Sequence, residues 1–164
     1  MVKEPVSAIR HFTATGFVVH ERHVALHWHR KVHEWLPPGG HIDDNEDPVQ
    51  AVLREIAEES GLEAEIANTA PVLGLQYPYE VAPPYTIMVE DIDDPVEGYH
   101  QHIDMIYICR LVGPAEPLNE GWRWVSEQDL SEGIKLKNDE GTTRVPPRDV
   151  RLLAKRAFEV VSIP

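Results

Sequence analysis

The chain has 164 residues, 42% of them hydrophobic, and a formal net charge of −13. That length suits one domain, residues 1–164, with enough core to fold without cross-links, and the single cysteine, Cys109, excludes an internal disulfide. So acidic a surface repels nucleic-acid backbones and anionic membranes, and it repels a phosphorylated small molecule too unless a cation intervenes.

Residues 1–10 read as a short lead-in. Residues 11–20 (HFTATGFVVH), rich in β-branched and aromatic side chains, predict a strand. His23–His29 predicts a second, with Val24, Leu26 and Trp28 alternating against His23, Ala25, His27 and His29. A hairpin through Glu21-Arg22 would join them, although neither residue favours a tight turn. Residues 30–34 form a polar loop, and Trp35-Leu36-Pro37-Pro38 leads to Gly39-Gly40.

A helix over 48–60 follows. Pro48 suits its first position, Asp47 with Gln50 makes a capping box, and Gly61 suits the left-handed residue that ends it. Helical period turns Val49, Leu53, Ile56 and Ser60 inward and Glu55, Glu58 and Glu59 outward. Three like charges at that spacing destabilise a helix. A divalent cation removes the cost, and Mg²⁺ takes oxygen ligands of this kind.

Beyond the helix, a strand is predicted around residues 70–75, then a loop of prolines and tyrosines over 77–84 and a strand over 85–90. Residues 91–98 read as an acidic turn, 103–112 as the strongest strand in the chain, 113–121 as a loop and 122–125 as a short strand. Residues 128–133 suggest a short helix and 135–147 a polar connection. Arg148–Val161 closes as an amphipathic helix with Val150, Leu153, Ala154, Ala157 and Val161 on its apolar face. Cys109, within an apolar run, reads as a buried, inert thiol. Strands and helices mix without regular βαβ alternation, which points to α+β or a mixed-sheet α/β/α sandwich. No run approaches the roughly 18 apolar residues that span a bilayer, and MVKEPVSAIRHF lacks the apolar core of a signal peptide. A cytoplasmic location is the expectation.

Residues 39–62 (GGHIDDNEDPVQAVLREIAEESGL) carry a further pattern: Gly40, Glu46, Arg54-Glu55-Ile56, Glu58-Glu59 and Gly61-Leu62 at fixed distances. At every fixed position this resembles the Nudix box. The resemblance implies an α/β/α sandwich with a mixed sheet, the box being its loop-helix-loop. It is looser in the strands before the box and in the WVSEQDL segment. It implies hydrolysis of a nucleoside diphosphate linked to another group, with Mg²⁺ or Mn²⁺. Glu55 and Glu59 would hold the metal, with Glu58 as third ligand or base and a carbonyl of Gly39 or Gly40 as a further ligand. Glu55 and Glu58 share the candidacy for catalytic base. Glu46 and Arg54 look like the ion pair that locks the loop to the helix. Many members add an acidic residue from another loop, for which Glu120 is the first candidate and Glu116 the second.

Other residues bear on the substrate. Pro78 and Tyr79 resemble the markers of two different Nudix substrate classes, and both lie in one loop. Tyr77, Tyr79 and Tyr85 either stack on a base or pack. His27 and His29 share a strand face, but no cysteine joins them as zinc ligands, so they read as polar strand residues. Arg30, Lys31 and His33 either meet a phosphate or lie solvated. His100 and His102 have no assignment. The expected partner is a small nucleotide or nucleotide derivative, with a homodimer left open and nucleic acid and membrane excluded. A catalytically silent nucleotide-binding module is the alternative. Such modules usually lose a box glutamate, and this chain keeps Glu55, Glu58 and Glu59.

Overall fold

The computed structural model describes residues 9–67 and 70–162. Of the expected lead-in, residues 1–8 lie outside that range. An eight-stranded mixed sheet forms the centre: β1 (Arg10–His20), β2 (His23–His29), β3 (Glu34–Leu36), β4 (Gly39–His41), β5 (Ala64–Ile66), β6 (Thr86–Asp94), β7 (Gly98–Leu111) and β8 (Trp122–Ser126). The strand path is β3-β2-β1-β7-β5, with β8 beside β2, β4 beside β1 and β6 beside β7. β1 and β7 run parallel from Arg10↔Gln101 to Val19↔Arg110, and the other pairings are antiparallel.

Both faces of the central strands are buried, which is why residues 103–112 read as a near-continuous apolar run. Phe17, Val19, Val24, Leu26, Ile106 and Ile108 face α3 (Arg148–Val161), whose Val150, Ala154, Ala157 and Phe158 cover them. Ala14, Val18, Ala25, Tyr107 and Cys109 face the other way, onto Ala51, Val52 and Ile56. The result is the expected α/β/α arrangement. Burial pushes the Cys109 thiol up to about 12, and a thiol held protonated in this way is inert. A short helix, α2 (Glu127–Glu132), packs against α3, and a small second sheet pairs β9 (Leu136–Lys137) with β10 (Thr143–Arg144).

The box helix begins where its sequence says. The Asp47 carboxylate accepts from the N–H groups of Val49 and Gln50, and Gln50 accepts from the Asp47 N–H at 2.9 Å. The α-helical part, α1 (Pro48–Glu55), then widens into a π-helical turn, Ile56–Ser60, which ends at Gly61 with φ 77°. Such turns occur often at functional sites. The buried stripe differs from expectation. Ala51, Val52, Ile56 and Ser60 are buried, whereas Val49 and Leu53 only flank the core. The helix rests where β1 offers Gly16, and a Cβ there would lie 2.7 Å from Ile56 Cδ1 and 2.9 Å from Val52 Cγ2. Gly16→Ala is expected to destabilise by about 1–3 kcal/mol, the usual penalty of overpacking. A urea midpoint that falls at unchanged slope would register it.

Several stretches depart from the sequence reading. Residues 70–75 form no strand: β5 already occupies the end of β7, and the Leu73 and Gly74 N–H groups donate instead to the Glu80 carboxylate. The acidic turn is much shorter than residues 91–98, because β6 carries its charges out to Asp94. An edge strand tolerates such charges, and Asp94 caps the turn by accepting from Val96 and Glu97. Gly39 and Gly40 belong to a short strand rather than a loop, paired with Thr15 and Ala14. The hairpin through Glu21-Arg22 forms as expected, with both residues at positive φ, 44° and 60°, because the β1–β2 register demands it. Their turn is held by an Arg22–Glu127 ion pair and by the Glu127 N–H, which donates to the Arg22 carbonyl. Among the described residues, no helix is long and apolar enough to cross a membrane.

Candidate active site

Alternation along β4 turns Gly40 toward the box helix and His41 toward the opposite face. The lack of a side chain at Gly40 is what admits Glu55: a Cβ there would lie 2.4 Å from Glu55 Oε1. One residue earlier, the Gly39 N–H donates to Glu59 Oε2 at 3.1 Å. Burial raises the Glu59 carboxyl above the usual carboxylate range. The Gly39 N–H opposes that shift, and Glu55 and Glu58 add to it. Glu58 is exposed.

Arg54 ties the loop to the helix. Its Nε and Nη2 donate to the two Glu46 oxygens at 2.7 and 2.9 Å, a bidentate fork. Nη1 donates to Glu55 Oε1 at 2.8 Å and more loosely to Glu58 Oε2 at 3.4 Å, while Nη2 also reaches the His41 carbonyl at 3.1 Å. Glu46 further accepts from the Asp43 N–H. The Arg54 hydrogen bond leads in lowering the Glu46 carboxyl, and the same bond, followed by that to Glu55, raises Arg54. One guanidinium thus positions the loop, the strand backbone and Glu55 together.

Residues 113–121 approach the C-terminal end of the same helix. Asn119 Nδ2 donates to the carbonyls of Glu59 at 2.9 Å and Glu58 at 3.3 Å, and its N–H donates to the Ser60 carbonyl. Sequence reasoning missed Asn119, and a lone Asn in a loop carries no local signal for it. Glu120 follows it and is exposed. Glu116 is occupied within its own loop, accepting from the Leu118 N–H.

A second acidic group lies across the sheet. Asp104 on β7 is buried and accepts from Thr13 Oγ1 at 2.9 Å and Thr15 Oγ1 at 2.8 Å. Burial raises its carboxyl, against the two threonines. Burial also raises Glu90, followed by Asp104 and Asp149. A carboxyl raised in the fold favours the native state while protonated, below its unfolded value, and that contribution is lost as pH climbs through the folded value. Asp104→Asn is therefore expected to unfold at a higher temperature than the wild type near neutral pH. The gap should close toward about pH 4, where an ordinary aspartate protonates. Melting curves across that range check it.

The remaining expected residues are dispersed. His27 and His29 stack at 5.8 Å, and His27 meets Trp122 edge-on at 4.3 Å. Burial, then His29, lowers His27 to about 4. Burial, then Lys31, lowers His29. Lys31 lies 3.7 Å from Asp94, and Arg30 and His33 are exposed. Tyr77 and Tyr79 do not pack: they are 86% and 73% exposed, in a loop with a cis Tyr77-Pro78 bond. A cleft of about 560 Å³ between α2 and α3, lined by Glu127, Gln128, Arg148, Arg151 and Lys155, contains no box residue.

Fold and site together define a Nudix-type hydrolase. The chain belongs to the NUDIX domain family, whose model matches residues 9–146. It is similar to an RNA pyrophosphohydrolase of Roseobacter denitrificans, 29% identical over 76% of this chain and 74% of the relative. A shorter match, 48% identical over 33 residues, links 20% of this chain to 22% of the asymmetrical bis(5'-nucleosyl)-tetraphosphatase of Mus musculus. Among solved structures, a NUDIX-family hydrolase from Clostridium perfringens superposes with TM-score 0.73 at 27% identity, over 93% of this chain and 99% of that one. The C. elegans Ap4A hydrolase shares the fold at TM-score 0.55 and 17% identity, over 93% and 98%.

Proposed function

We propose that this chain hydrolyses a phosphoanhydride bond in a nucleotide-type substrate with Mg²⁺ or Mn²⁺. The carrying observation is the way Glu55 and Glu59 lie over Gly39-Gly40, where no Cβ fits beside Glu55. The donors are all oxygen: Glu55, Glu58, Glu59 and a carbonyl of Gly39 or Gly40. Hard divalent ions select such a set. When bound, the ion neutralises phosphate charge and acidifies a water.

The chain's own groups do the rest. Glu59 is fixed by the Gly39 N–H. Glu58, exposed and only loosely held by Arg54, would take a proton from water, and Glu55 shares that role. Arg54 and Glu46 are positioning residues. Glu120, carried by the loop that Asn119 anchors, is the acidic group proposed from outside the box. The exposed Tyr77 and Tyr79 offer π-faces to a base.

The relatives named RNA pyrophosphohydrolase bring a second substrate class into the proposal. An RNA 5′ end offers a site only its terminal phosphates, so the acidic surface excludes extended backbone contact without excluding an end.

Phosphate freed by added phosphatase or pyrophosphatase from the products of nucleoside triphosphates, ADP-ribose, nucleotide sugars, dinucleoside polyphosphates and a short 5′-triphosphorylated RNA, with Mg²⁺ and then Mn²⁺, tests this reading. Turnover of one class supports it. Silence across the whole panel with both metals turns it toward a nucleotide-binding module.

A further inference from the structure

On the sheet face opposite the box helix, four histidines from three strands meet at one end of the sheet. His11 lies on β1, His41 on β4, and His100 and His102 on β7, with His11 paired to His102. We propose that His11, His41 and His102, with His100 beside them, form a zinc-class transition-metal site distinct from the Mg²⁺-type site of the box.

Distances carry the inference. The metal-binding atoms of His11, His41 and His102 all lie within 4.8 Å of one another. His11 Nδ1 is 3.2 Å from His41 Nε2, and His100 Nε2 is 3.2 Å from His102 Nε2. Zinc binds imidazole nitrogen at about 2.0–2.1 Å, so the edge of its tetrahedron is about 3.3–3.4 Å. Neighbouring nitrogens already have that spacing. His100 Nδ1 lies 3.0 Å from the Gly98 carbonyl, which only accepts. Nδ1 therefore carries the proton, and the Nε2 lone pair is left for the cluster. Such an outer hydrogen bond orients a metal-bound imidazole. Glu97 lies 4.0 Å from His100 Nε2 and offers a carboxylate at the rim.

Chemistry separates this site from the box. Imidazole nitrogens select Zn²⁺, Co²⁺, Ni²⁺ or Cu²⁺, and Mg²⁺ prefers oxygen. An ion here joins β1, β4 and β7 through His41, the neighbour of Gly40, and grips the strand that Glu55 and Glu59 of the box helix contact from the other side.

Titration of tag-free protein with Co²⁺ in excess Mg²⁺ reads the site through the visible absorption of nitrogen-ligated cobalt. One equivalent is expected to bind and to raise the melting temperature. His102→Ala and His41→Ala should each weaken binding at least tenfold, while Glu55→Gln/Glu59→Gln leaves it intact. His41 is exposed, so its variant keeps the test valid should His102→Ala fail to fold. Absence of the absorption, binding that both histidine variants retain, or binding lost with the box glutamates overturns the proposal.

Discussion

Glu59→Gln is expected to lose about 10²–10⁴ of kcat, the equivalent of the several kcal/mol of charge stabilisation that a bound metal supplies, while the protein melts no lower than the wild type. The two halves of that result have separate causes. Glutamine keeps an acceptor for the Gly39 N–H, now 3.1 Å from Glu59 Oε2, so the contact between strand and helix survives. The substitution also removes a charge that burial and the neighbouring Glu55 and Glu58 make costly. A carboxyl raised in the fold costs stability once ionised, above its folded value, so at neutral pH the variant gains what the wild type loses. Activity falls because an amide is a poor ligand for a hard cation beside a charged carboxylate. Steady-state turnover with Mg²⁺ and a melting curve on the same preparation separate these effects. Full activity in Glu59→Gln would remove Glu59 from the metal set.

Arg54→Lys should cost about 10–100-fold in kcat/KM, the scale on which supporting contacts around a metal site act. A lysine ammonium is a point charge and cannot reproduce the fork. Arg54 now serves Glu46 with two bonds, Glu55 with one and the His41 carbonyl with another. The Mg²⁺ concentration for half-maximal rate is the decisive readout: it should rise, because Glu55 loses its orientation. A purely structural role would lower the melting temperature and leave that concentration unchanged. Glu46→Gln should shift it in the same direction, and the double variant should lose less than the sum of the singles, since both act through one fork.

The sequence by itself determined the parts that are local or periodic. The capping box at Asp47 and Gln50, the left-handed Gly61 and the bounds of β2 and α3 follow from short-range chemistry, while the Glu46–Arg54 pair is expected from the resemblance to the Nudix box. The mixing of strands and helices leaves α+β or a mixed-sheet sandwich open, and the resemblance to the Nudix box points to the sandwich. Tertiary structure decided the rest. Which stripe of α1 is buried depended on Gly16, a residue of another element. Residues 70–75 lost their strand because the end of β7 was taken, and an apolar run without a free edge has nothing to pair with. Asn119 docks on the box helix from about 60 positions away along the chain, and His11, His41, His100 and His102 meet through the parallel β1–β7 register and β4. Pairing between distant strands is not written in any window of neighbouring residues. It depends on which edges are free and which faces remain uncovered once the whole chain has packed.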